Sequence, residues 1–250
     1  MTSRSCLPLL LLLALLCGQA QAATLNIVSE SWPPYIYEEH GQLKGIDYDV
    51  TTRVLSQLGY KTHWQLMPWR RALHDTASGN ADAILDISPT PERRQQYLFP
   101  TEQLSSSDSV LFYNKLHPHP FNDLDDLRGL NIGVSAGYLY SNPAFLEADF
   151  FSRIPATSNE TSLLMLMRER VDMVIMNRHV GQFIINKLGL EQQIDHHPLV
   201  VSSGPLFLAF HRRPELAELA KHFAVALHRF KNSSEYLKIL ERYDLSDFNS

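Results

Sequence analysis

The stretch "ADAILDISPTPERRQQYLF", Ala81 to Phe99, decides how this chain is read. An acidic residue is followed by a short apolar run, Ala83 to Ile87, the pattern of a buried strand. Thr90, Pro91 and Glu92 then supply an N-cap, a proline at the first helical position and an acid in the first turn. A strand passing directly into a helix is the unit of a parallel α/β sheet. Arg93 sits in that first turn, where unpartnered N–H groups make a cation cost ~0.3–1 kcal/mol. Ligands of such sheets bind beyond the carboxyl ends of the strands, so Arg93 and Ser88 lie within reach of a cleft. A carboxylate held bidentately by the guanidinium would offset the misplaced charge. Arg94 is ~100° further round the helix, so only one of the pair can aim at such a ligand. The other reading makes both surface residues, paired with Glu92 or solvent.

Working outward, a second stretch echoes the first. "TLNIVSES" (24–31) recurs as "GLNIGVSAG" (129–137), and "ADAILDIS" (81–88) as "VDMVIMNR" (171–178). A helical pattern precedes each later copy, "WRRALHDTASG" and "SLLMLMRER". The simplest account is two similar lobes alternating strand and helix around a mostly parallel sheet. "IDYDVTTRVLSQLGY" reads as a helix ending at Gly59, and "YKTHWQLM" as a strand. "PELAELAKHFAVALHRF" places Leu216, Leu219, Ala220, Phe223, Leu227 and Phe230 on one face, between the strand "GPLFLAFHR" and a last helix in "SSEYLKILERY".

Residues 1–22 have a basic start at Arg4, an apolar run from Leu7 to Cys17 and an "AQA" triplet. These are the parts of a secretory signal peptide cut before Ala23; a bilayer span needs ~20 apolar residues. Both cysteines, Cys6 and Cys17, leave with it, so the mature chain has neither a disulfide framework nor a thiol nucleophile. The formal charge of −5 becomes −6, because Arg4 is lost and no acid is. That balance argues against nucleic acid as a partner.

Lobe 1 is assigned to 23–104 and 205–250 and lobe 2 to 105–204. The crossings, near "SSSDS" and "SSG", are rich in small residues, as in a two-crossing hinge, though two ordinary loops would read alike. Trp32 in "SWPPY" and Trp69 in "MPWRRA" each follow a strand and sit among prolines. Such rings can wall a pocket and cover an apolar stem or a cation, or simply pack the core or rim.

From "NIVSESWPPY" through "GQLKGIDYDV", "ADAILDISPTPERRQQYLF", "DLRGLNIGVSAG" and "RVDMVIMNR", the chain resembles the family 3 extracellular solute-binding proteins, the periplasmic amino-acid receptors of ABC importers. The likeness covers nearly all of the mature chain. Its most specific elements are G-[IF]-D-x-D, here Gly45–Asp49, and S-x-T-x-E-R, here Ser88–Arg93. It implies a periplasmic-binding-protein type II-like α/β fold whose two lobes close on a small solute. It further implies that Arg93 holds the ligand's α-carboxylate, that Ser88 adds a hydroxyl or backbone contact and that Trp32 and Trp69 wall the pocket. The resemblance also implies that the amides of a second-lobe turn at Gly137 and Tyr138 complete the carboxylate site.

The resemblance breaks at Asn177, where the family places an aspartate against the ligand's α-ammonium. An amide cannot neutralise a buried ammonium. Either another acid takes over, with Asp86 and Glu30 best placed, or the ligand is not an ordinary α-amino acid. The histidines are scattered or adjacent, without helical i,i+4 pairing, so no metal is expected, and no motif calls for a cofactor. The resulting expectation is a monomeric periplasmic receptor that passes a small polar, carboxylate-bearing solute to an ABC permease and is not an enzyme. The alternatives are an enzyme on the same scaffold, resembling periplasmic cyclohexadienyl dehydratases and using Glu30, Asp86 or His179 as acid or base, and a sensory subunit.

Overall fold

The echo in the sequence is an echo in hydrogen bonding. Asn26 N donates to Asp82 Oδ2 at 2.7 Å, and Asp82 N returns a bond to the Asn26 carbonyl at 2.8 Å. Asn131 and Asp172 repeat the arrangement with the same two distances. Each acid thus fastens the start of one buried strand to the start of the next. The computed structural model describes residues 23–135, 138 and 140–243, so the expected signal peptide and Gly137 lie outside the described residues.

The first lobe begins with β1 (Thr24–Ser29), the hairpin β2 (Tyr37–Glu39) and β3 (Gln42–Lys44), and α1 (Ile46–Gln57). It continues through β4 (Lys61–Leu66), α2 (Trp69–Ser78), β5 (Ala83–Ile87), α3 (Pro91–Gln96) and β6 (Tyr97–Leu98). A long strand, β7 (Ser105–Asn114), leads into the second lobe. There follow β8 (Asn131–Ser135), α4 (Pro143–Glu147), β9 (Ser152–Ala156), α5 (Asn159–Met167), β10 (Met173–Asn177), α6 (Arg178–Leu188) and β11 (Ile194–His196). The second long strand, β12 (Ser202–His211), leads back to α7 (Pro214–Lys231) and α8 (Ser234–Arg242).

The main sheet has the order β4-β1-β5-β12-β7-β10-β8-β9. Within each lobe the pairs β1·β4, β1·β5, β8·β10 and β8·β9 are parallel, as the strand–helix alternation predicts. The two crossings are strands. Ser202–Leu206 pairs antiparallel with Ser105–Ser109, and Phe207–Phe210 of the same strand pairs with β5. The serine-rich stretches are therefore one two-stranded ribbon joining the lobes. Ser105, Ser109 and Ser202 of this ribbon are buried, and Ser105 and Ser202 hydrogen-bond to Asp47 and to the Ser141 amide.

Each lobe has its own apolar core. Leu25, Ile27, Val54 and Leu55 pack against Phe223, Leu227 and Phe230, so the predicted face of α7 is the buried one. Burying such a side chain contributes about 1.5–3 kcal/mol. In the second lobe Phe112, Val174, Val180 and Ile184 form a cluster that also takes in Trp32 and Tyr35 of the first. Helix α6 lies so close to β7 that a Cβ at Gly181 would stand 2.1 Å from the Phe112 ring.

Candidate functional site

Two sequence motifs turn out to be one structural unit. Helix α1 has no side-chain cap at Gly45; instead the Pro34 carbonyl accepts from Ile46 N, and the Tyr35 carbonyl from Asp47 N and Tyr48 N, at 3.1–3.2 Å. The "WPPY" turn thus supplies acceptors to N–H groups that every helix start leaves unpaired. Glycine is required at 45 because its φ is 132° and a Cβ would lie 2.1 Å from the Tyr35 carbonyl oxygen. Asp47, fully buried, accepts a short hydrogen bond from Ser105 at the start of the ribbon. "SWPPY", "GIDYD" and the first crossing therefore hold one another in place.

Beyond the ends of β1 and β5 lies a small cleft. Ser29, Glu30 and Trp32 line it from the end of β1, and Trp69 from the start of α2. Asp86 and Ser88 come from the end of β5 and the turn after it, and Arg93 from α3. The ribbon contributes Ser107 and Leu206, and the second lobe Tyr138.

Arg93 stands where the capping pattern placed it. Thr90 is the N-cap and its side chain accepts from Arg93 N at 3.1 Å, with Pro91 next. The half-buried guanidinium donates to the Ser88 carbonyl at 2.8 Å and lies 5.9 Å from the Trp69 ring centroid. Among the described residues no carboxylate pairs with it. Arg94 turns away, over Phe99 at 5.2 Å, so the helix directs one of its two arginines to the cleft.

Trp32 is buried, stacked on Tyr35 with centroids 4.5 Å apart and edge-on to Tyr138 at 6.4 Å. Its indole nitrogen has no acceptor among the described residues. Tyr138 donates to Glu30 at 3.1 Å, a bond that spans the lobes. Burial raises the Glu30 carboxyl above its ordinary range, and the Tyr138 bond partly counters it. Asp86 has φ 60°, a left-handed conformation uncommon outside glycine, asparagine and aspartate. Burial pushes its carboxyl well up, and the charge of Asp47 and then that of Glu30 add to the rise.

Asn177, a candidate ligand contact at the point where the resemblance breaks, is engaged within the chain. It does not line the cleft. Its Oδ1 caps α6, accepting from His179 N and Val180 N at 3.0 Å, and its Nδ2 donates to Tyr35 Oη and Ser107 Oγ at 3.1 Å. All its polar capacity is spent within the chain. Of the three acid–base candidates, Glu30 and Asp86 line the cleft and His179 does not. No cluster able to hold a metal occurs among the described residues. Sequence reasoning did not find Ser29, Ser107 or Leu206, nor the part played by Tyr35.

The profile of the bacterial extracellular solute-binding proteins, family 3, matches residues 25–246. The probable amino-acid-binding protein YxeM of Bacillus subtilis (strain 168) is 25% identical over 215 residues, covering 84% of this chain and 79% of that one. Among solved structures, the P235GK mutant of ArgBP from T. maritima superposes with a TM-score of 0.75 at 19% identity, over 88% of this chain and 95% of the other. A histidine kinase sensor domain with similarity to periplasmic binding proteins gives 0.76 at 18% identity, over 90% and 97%. These structures share the two-lobed α/β fold, and the relative and the family are binding proteins rather than enzymes. With a profile match spanning most of its length, the chain belongs to the bacterial extracellular solute-binding proteins, family 3.

Proposed function

We propose that this protein captures a small carboxylate-bearing solute between its lobes, with Arg93 as the carboxylate anchor, and delivers it to an ABC permease at the inner membrane. The observation that carries the reading is the Arg93 guanidinium. It is half-buried in a cleft, steadied by Ser88 and Trp69, and unpaired with any acid among the described residues. Burial depresses its affinity for a proton. It nonetheless stays charged at neutral pH, since an arginine starts above 12. An anion from outside satisfies it. Trp32 and Trp69 wall the site and Tyr138 closes it from the second lobe. The same family membership supports export to the periplasm, matching the signal-peptide pattern of residues 1–22.

The test is a thermal-shift screen of the mature chain (residues 23–250) against amino acids, dicarboxylates, polyamines and short peptides. A ligand at a hundred times its dissociation constant adds about 2.7 kcal/mol. In a chain of this size that raises Tm by about 5–11 °C. Arg93→Ala should abolish the shift given by a carboxylate ligand. A variant stabilised as much as the parent removes Arg93 from the site.

A further inference from the structure

We propose that the solute is an amine-free carboxylic acid, with an oxo, hydroxyl or apolar group where an α-amino acid has its ammonium. The inference rests on the reading of Arg93 as the carboxylate anchor and names what the rest of the same site accepts. A cation held in a closed cleft needs an acid, a free amide oxygen or an open aromatic face. The chain has engaged nearly every such group for itself.

Asn177 stands where the resemblance sets an aspartate against an ammonium, and its Oδ1 accepts from two backbone N–H groups of α6. Asp86 forms part of the wall, but its carboxyl is hydrogen-bonded to Asp47 and both its oxygens are buried. Asp47 accepts in turn from Ser105. Two buried carboxyls in contact keep a proton between them, so the pair offers no seat to a solute's cation. The indole rings are taken as well. Trp32 is stacked on Tyr35 at 4.5 Å and set edge-to-face with Tyr138 at 6.4 Å, and the Arg93 guanidinium itself lies 5.9 Å from the Trp69 ring centroid. Against these stands one positive group, Arg93, which donates only to the Ser88 carbonyl. A simple carboxylate neutralises it. A zwitterion does so too, but leaves its own ammonium buried without a partner. Glu30 is the competing seat. One of its oxygens accepts from Tyr138 at 3.1 Å, and burial raises its carboxyl with no cation of the chain beside it. The competing account keeps Glu30 ionised, with an ammonium on its second oxygen.

Calorimetric titration of the mature protein with pairs of probes that differ only at Cα separates the two accounts. The pairs are pyruvate and L-alanine, 2-oxoglutarate and L-glutamate, and phenylpyruvate and L-phenylalanine. The variants are Arg93→Ala and Glu30→Gln, in which glutamine keeps an oxygen for Tyr138. The inference expects one of the oxo acids to bind the parent about tenfold or more tightly than its amino partner, a modest margin for an ammonium left buried and unpaired. It expects Arg93→Ala to lose that binding, and Glu30→Gln to keep the same order within the pair. An amino acid that binds the parent as tightly as its oxo partner or more so, and is lost in Arg93→Ala, overturns the inference and leaves the Arg93 reading standing. Its weakening in Glu30→Gln would then place the ammonium on Glu30. Parent-like affinity in Arg93→Ala overturns the Arg93 reading itself. Binding of none of the six probes also overturns the inference, since the pairs span small, acidic and aromatic bodies.

Discussion

Replacing Asn177 by alanine should destabilise the protein without removing any contact to solute. Asn177 is 4% exposed and its amide is fully engaged: two backbone N–H groups of α6 reach its Oδ1, and its Nδ2 reaches Tyr35 and Ser107. Losing the cap costs about 1 kcal/mol. Losing two buried side-chain bonds costs about another 1–3 kcal/mol in total. Together these give about 2–4 kcal/mol, which in a chain of this size lowers Tm by roughly 4–16 °C. Asn177→Asp is the informative companion. Aspartate caps as well as asparagine, and the hydroxyls of Tyr35 and Ser107 can rotate to donate to a carboxylate, so much of the loss should be recovered at neutral pH. The assay is thermal unfolding by circular dichroism, with calorimetric affinity for whichever solute binds the parent. If the alanine variant melts within about 1 °C of the parent but loses affinity, Asn177 is a ligand contact and its structural assignment is refuted.

Gly181→Ala probes the closest approach of helix to sheet. The new methyl would meet the fully buried Phe112 ring at 2.1 Å, and overpacking of this kind costs about 1–3 kcal/mol. The gain in helix propensity, at most ~1 kcal/mol, does not offset it in full, so Tm should fall; a higher Tm would mean the ring has room to move. Asp86→Asn should also alter the pH dependence of the ligand-free protein. The carboxyl titrates higher folded than unfolded, so the folded state holds a proton the unfolded chain has released, and stability falls as pH rises from about 4 through the raised value. Asp47 and Glu30 act in the same sense, while Lys231 pulls Asp47 the other way. The variant should therefore gain on the parent in Tm as pH increases, and a difference that ignores pH would show that Asp86 does not titrate in this range.

The parts of the fold that could be read from the chain are those in which one local signal decides the outcome. The acid–apolar runs at 82–87 and 172–177 announce buried strands, and their partner asparagines place the strands side by side. Thr90, Pro91 and Glu92 fix the helix start, and through it Arg93. Helix α6 was legible but unread: Asn177 caps it, Val180, Ile184 and Ile185 form its buried face and Gly189 ends it. Taking Asn177 as a displaced ligand contact hid its ordinary role as a cap. Ser107 and Leu206 could not be found this way, because they reach the cleft only through the pairing of two strands about a hundred residues apart in sequence. The same holds for the strained backbone of Asp86, since nothing next to it in sequence demands a positive φ.

The interlobe contacts bear on how such a receptor divides its binding energy. Glu30 meets Tyr138, Tyr35 meets Asn177, and Trp32 packs on Tyr138 while joining the second lobe's core. All three tie the segment after β1, which belongs to the first lobe, to residues of the second. A chain that makes these contacts for itself narrows the free-energy gap between open and closed arrangements. The solute then has less of its affinity consumed in bringing the lobes together. The contacts are indifferent to which solute is present, so they add nothing to discrimination. Discrimination must come from groups that the chain leaves incompletely satisfied, and among the described residues of this cleft these include the guanidinium of Arg93, which donates only to the Ser88 carbonyl, and the indole N–H of Trp32. A solute lacking a match for any one of them buries that group unpaired, and the resulting penalty, rather than the closing of the lobes, is what rejects it.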